Sequence, residues 1–194
     1  MSIEQNNEFI IYNTTKEIPQ NITHLKFNYS FNHKVNNLPQ NITYIDFGNC
    51  FNQKLDKLPK NLTHLFLFYY FNQKIDKLPK NLTHLTLNSI KFNKSINNLP
   101  KSLTYFMIGW HINSDIKLPK NFNYLLLTCN NKLINNIPVH IKILNICFHY
   151  EEKENKYIEN LPLTIKEIII EYEDYKKYIK VPFGCILTIK NLNK

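Results

Sequence analysis

Two stretches decide the fold: FNQKLDKLPKNLTHLFL at residues 51–67 and FNQKIDKLPKNLTHLTL at residues 71–87. They are nearly the same sentence, set 20 residues apart. Every proline of the chain falls at the same place in that sentence. The prolines are Pro19, Pro39, Pro59, Pro79, Pro100, Pro119, Pro138, Pro162 and Pro182, at spacings of 20, 20, 20, 21, 19, 19, 24 and 20. Each follows Ile, Leu or Val. A fixed period near 20 is the mark of a solenoid, in which each unit buries its apolar face only against its neighbours.

Within the repeat, apolar residues return three, six and eight positions after the proline, as Leu62, Leu65 and Leu67 and again as Leu82, Leu85 and Leu87. The same columns continue from Ile22, Leu25 and Phe27 to Ile165, Ile168 and Ile170. Positions six and eight alternate with a different residue between them, which is the period of a short strand. Each repeat thus offers roughly five strand residues running the same way, and stacked copies make one long parallel sheet. The return segment, with Val35, Leu55, Ile75, Ile96 and Ile134 four residues before their prolines, is too short for a helix. It is expected to be extended or 3₁₀, because proline fixes φ and removes a donor.

Two polar columns accompany the apolar ones. Asn32, Asn52, Asn72 and Asn93 each follow a phenylalanine. Stacked amides can hydrogen-bond loop backbone from rung to rung, so these four are expected to form a structural ladder, with Asn72 buried. The Asn-x-Thr triplets at Asn21, Asn41, Asn61 and Asn81 match glycosylation acceptors. A capping ladder at the strand start is the preferred reading, since no secretion signal accompanies them.

Phe-Asn, an apolar residue and then Leu/Ile-Pro resembles the FNIP repeat, a relative of leucine-rich repeats familiar from social amoebae and the giant viruses that infect them. The resemblance covers residues 18 to 148 well and 158 to 194 loosely, and departs from the pattern at Ile112-Asn113 and Asn130-Asn131, where the phenylalanine column stops. It implies a leucine-rich-repeat-like horseshoe and a binding role in a viral protein. Many such proteins carry an F-box ahead of the repeats. Only some 17 residues precede the first Ile-Pro here, too few for that domain, so a ubiquitin-ligase adaptor role is not expected.

The expected fold is therefore a leucine-rich-repeat-like solenoid with little helix, the alternative being a parallel β-helix. Residues 1–194 read as one domain: 1–17 an N-terminal cap, 18–148 regular repeats, 149–194 divergent repeats and a C-terminal cap. Glu151 to Tyr157 reads as a charged surface insertion, and Tyr172 to Lys180 as a short helical turn. No apolar run approaches the ~18 residues of a membrane span, and the N-terminus lacks the basic-then-apolar pattern of a signal peptide. An intracellular location, the host-cell cytoplasm, is the expectation. Cys50, Cys129, Cys147 and Cys185 show no metal-type spacing and read as thiols in a reducing compartment. The net charge of +9 comes from lysine alone, because the chain has no arginine. Without guanidinium forks, specific nucleic-acid recognition is not expected.

Alternation places positions five, seven and nine after the proline on the outer face of the sheet. The first of these columns contains His24, Tyr44, His64, His84, Tyr105 and Tyr124. Metal binding needs three or four converging ligands, and the neighbours here are Tyr and Thr, so no metal site is expected. No nucleophile stands with a base and an orienting acid, and three glycines build no phosphate loop. No enzyme activity and no cofactor are expected. Phe66, Phe68, Tyr69, Met107, Trp110 and Leu126 cluster on the outer face over rungs three to six, and aromatics and Met are enriched at interface cores. With His64, His84, Tyr105 and Tyr124 they form the candidate partner-binding set. The expected function is a non-catalytic protein-interaction module binding a protein on its concave face, with no specific nucleic-acid and no membrane partner. The alternative is a structural, virion or assembly component that uses the lysine-rich convex face.

Overall fold

Each rung starts at its proline. The proline carbonyl accepts the N–H of the residue three further on, from Ile22 on Pro19 at 3.5 Å to Cys185 on Pro182 at 3.1 Å. The chain thereby reverses into a strand at the same point of each described repeat. The structure, a computed structural model, describes residues 8–11, 18–109, 118, 120, 122–128, 132–148 and 157–190.

The strands are β1 (Glu8–Ile11), β2 (His24–Phe27), β3 (Tyr44–Asp46), β4 (His64–Tyr69) and β5 (His84–Ser89). They continue as β6 (Tyr105–Ile108), β7 (Tyr124–Thr128), β8 (Ile143–Cys147), β9 (Glu167–Ile170) and β10 (Ile186–Ile189). All ten lie in sequence order in one sheet, and every pairing is parallel. The solenoid read from the period is the observed architecture.

Register holds each column straight: Leu25, Ile45, Leu65, Leu85, Phe106, Leu125, Leu144 and Ile168 pair in succession. All eight have no exposed surface. Across this core from the sheet, Phe31, Phe51, Phe71 and Phe92 form a buried stack with centroids 5.9, 6.2 and 6.2 Å apart. Rings on the outer face of the sheet sit 4.2 to 6.0 Å apart. The rungs therefore fan apart away from the sheet, and the sheet lines the inside of the curve.

Backbone polar groups at the rung ends are stitched by the polar columns. Asn32 Oδ1 accepts the Asn52 N–H at 2.8 Å, Asn52 Oδ1 the Asn72 N–H at 2.9 Å, and Asn72 Oδ1 the Asn93 N–H at 3.0 Å. Asn72 is half-buried rather than buried, because its side chain reaches along the rim of the stack to the next rung. At the strand start, Asn41, Asn61 and Asn81 each donate Nδ2–H to a carbonyl of the preceding rung. The 21-residue repeat takes up its extra residue just after Ser89, between Ile90 and Phe92. The fully buried Ser89 hydroxyl lies 2.9 and 2.8 Å from the carbonyls of Tyr69 and Phe71 and accepts the Lys91 N–H.

Strands run from three to six residues around the expected five or so. Two differences from the sequence reading stand out. The stretch before residue 18 adds a strand, β1, to the sheet. In the last rung Ile186, four residues after its proline, pairs with Glu167, five after its own, so the final rung is one residue shorter. Short 3₁₀ turns occupy Lys132–Asn136 and Glu173–Tyr178.

Candidate functional site

The outer face of the sheet, on the inside of the curve, carries a continuous row of rings. His24, Tyr44, His64, His84, Tyr105 and Tyr124 occupy one column of the register. Their centroids follow at 5.4, 6.0, 4.2, 5.5 and 5.1 Å, each pair stacked within 29° of parallel. In-register parallel strands are ~4.8 Å apart, which suits offset stacking of like-oriented rings. A threonine before each histidine holds it in place: Thr23, Thr63 and Thr83 Oγ1 each lie 2.9 Å from the adjacent Nδ1. Those hydroxyls are in turn tied to the strand, Thr63 to the Thr43 carbonyl at 3.0 Å and Thr83 to the Thr63 carbonyl at 3.2 Å. With Nδ1 engaged, Nε2 is the ring nitrogen left for a ligand.

Charge on this face is sparse. Burial holds the His64 imidazole below its ordinary range, and the neighbouring His84 and His24 push it the same way. Burial alone lowers His84. Burial also raises the Tyr105 hydroxyl, with Tyr124 and Cys147 adding to it. Asp46 is raised by burial, which outweighs its hydrogen bond from the Gly48 N–H and the Lys26 ammonium 3.9 Å away. A long, neutral, aromatic strip results, with hydrogen-bonding edges. Among the described residues no group of His, Cys, Asp and Glu converges as metal ligands would.

Of the candidate set, Phe66, Phe68, Met107, His64, His84, Tyr105 and Tyr124 are half-buried on this face, and Tyr69 is exposed. Phe66 packs against Tyr44 at 4.9 Å and Phe68 at 6.4 Å. Leu126 corrects the expectation: it is 8 % exposed, and Thr86, Asn145 and Ile169 of the same column are as covered. The column is half-open at Asp46, Phe66 and Met107, covered at Thr86 between them, and covered throughout from β7 to β9. Asn145 Nδ2 donates to the Tyr124 hydroxyl at 3.0 Å across it. The open part of the site is therefore β3 to β6. Trp110 and Cys129 lie outside the described residues.

Sequence reasoning treated the His/Tyr column as separate exposed positions and missed that it is one stack; six rings in one column of the repeat carried that signal. It also missed a cavity of ≈ 530 Å³ on the return side, lined by Lys54, Lys74, Lys77 and Lys94 with Asp56 and Asp76.

The FNIP Repeat family model matches residues 13–50, 51–90 and 71–111. The chain belongs to the FNIP-repeat family. No curated protein is a significant match to it. Among solved structures it is similar to CroV588, described as a novel circular LRR protein, at 28 % identity and a TM-score of 0.63. That likeness covers 92 % of this chain and 32 % of CroV588, so the chain spans about a third of that protein's length. FNIP and leucine-rich-repeat-like solenoids are typical of protein-interaction modules, and the family and fold are generally non-enzymatic.

Proposed function

We propose that this FNIP protein is a non-catalytic interaction module that captures a protein partner on the inside of its curved sheet. The observation that carries this reading is the uninterrupted ring stack from His24 to Tyr124 with Phe66, Phe68 and Met107 standing half-exposed beside it. Aromatic side chains held rigidly by their neighbours lose little entropy on binding and supply hot-spot area. A partner with an apolar ridge flanked by hydrogen-bonding groups fits the strip; a highly charged one does not. The partner is sought in the cytoplasm, following the intracellular expectation.

The test is affinity capture from cell extract with immobilised wild type and with the Phe66→Ser/Met107→Ser variant. We expect a stoichiometric partner on the first and none on the second, with thermal midpoints close together. Retained capture by the variant would remove the inner face as the binding surface. The assembly reading has one observation in its favour, the lysine-lined cavity on the return side. It expects instead that Lys54→Ala/Lys74→Ala abolishes association and that the protein co-purifies with particles.

A further inference from the structure

The first corner of every turn, the residue after each proline, is exposed in all nine repeats. In the first six it is polar: Gln20 and Gln40, then Lys60, Lys80, Lys101 and Lys120. In the last three it is apolar, and progressively bare: Val139 is 68 % exposed, Leu163 77 % and Phe183 99 %. Three consecutive rungs thus replace a lysine or glutamine by a bare hydrophobic tip in one column.

The turns that carry that column are basic, with Asp56, Asp76 and Glu159 just outside them. Taking each turn from two residues before its proline to four after, the eight turns from Asn37 to Ile186 contain ten of the chain's 24 lysines and no Asp or Glu. One of the ten, Lys77, reaches back to Asp56 at 3.3 Å. Because the strands are parallel and in register, the described residues of these turns lie along the edge of the sheet where strands begin. Corners of neighbouring rungs therefore stand side by side along that edge, where one extended surface can touch several of them together.

We propose that this strand-start edge docks on the surface of an anionic lipid bilayer, with Val139, Leu163 and Phe183 entering the headgroup region and the lysine corners lying on the lipid charges. Two considerations select this occupant. Three tips expose together only a few hundred Å², well under the ~800 Å² per partner of a stable protein interface. A bilayer needs no shape complementarity, and a few apolar side chains plus a basic patch is the pairing of signals that makes peripheral attachment hold. Nucleic acid would use the lysines but gives exposed aliphatic tips nothing to enter. The expectation of no membrane partner rested on the absence of a span; peripheral docking is a separate physical claim, and it leaves the inner face of the curve open.

Flotation with vesicles tests it, using phosphatidylcholine alone and with about a third phosphatidylserine. The protein should float with the anionic vesicles and lose at least about tenfold in affinity between ~50 and ~500 mM salt. Phe183→Ser/Leu163→Ser should weaken binding at least about tenfold, and Lys80→Glu/Lys120→Glu likewise, with unchanged thermal midpoints because all four residues are exposed. Phe66→Ser/Met107→Ser should bind as wild type. Failure to float with anionic vesicles, equal binding to both compositions, or insensitivity to the Phe183/Leu163 pair overturns the proposal. Displacement from vesicles by equimolar single-stranded nucleic acid overturns it as well, in favour of a polyanion partner.

Discussion

His64 and His84 stack at 4.2 Å, closer than any other pair in their column. Partial burial holds each of them below the ordinary histidine value, and the neighbouring charges of His84 and His24 push His64 the same way. A base whose folded value is depressed makes the unfolded chain the better proton acceptor. The contribution is therefore intact above the unfolded value near ~6.5 and is lost as pH falls from there toward the folded values. We expect the thermal midpoint of the wild type to drop over that window relative to a His64→Gln/His84→Gln variant. A constant difference between the two across pH 8 to 5, roughly the histidine range, would show that the stack does not resist charging. In His84→Gln alone, the His64 value followed by NMR should rise, since one of its charged neighbours is gone while its burial remains.

At the scale of the strand and its turn, two kinds of bond hold the rung, and they differ in worth. Leu65 has no exposed surface, and Leu65→Ala should cost about 2–5 kcal/mol through lost burial and a residual cavity. Asn72→Ala deletes only the acceptor for the Asn93 N–H, at a half-buried site where water can take its place, so about 1 kcal/mol is expected. Urea midpoints of the two variants give the comparison, and faster exchange of the Asn93 amide identifies the lost bond. Equal midpoints for the two would mean that the inward column does not carry the core. The strand phase was legible because inward and outward residues differ in kind at a period of two, so Leu65 and Leu67 could not be confused with His64 and Phe66. Leu126 was not legible. It stands between Met107 and Asn145 of the adjoining rungs, and no residue in its own repeat encodes what those neighbours cover. Nor was β1: EFII has no proline turn before it, and only pairing with β2 identifies it as a strand.

For the whole molecule, each described strand is hydrogen-bonded in the sheet only to the strands on either side, so stability is a sum over neighbouring interfaces rather than one indivisible core. Hydrogen exchange should show strongest protection in β4 to β6 and a decline toward β2 and β9. A uniform profile would mean the solenoid unfolds as a single unit. The proline period encodes this order, and the columns extending from Leu25 to Ile168 follow from it; the lysine edge is not visible within one repeat, because it forms only where turns far apart in sequence stand side by side. Register has a further consequence for heredity. Spacings of 19, 20, 21 and 24 are all accommodated while the described strands stay paired column to column, the departures in length falling between strands. A gene encoding such a chain can gain or lose one whole unit by unequal crossing-over and still yield a stack in which each new interface repeats an existing one. Length, and with it the reach of both the inner strip and the basic edge, is then a quantity that recombination can change in single steps of one rung.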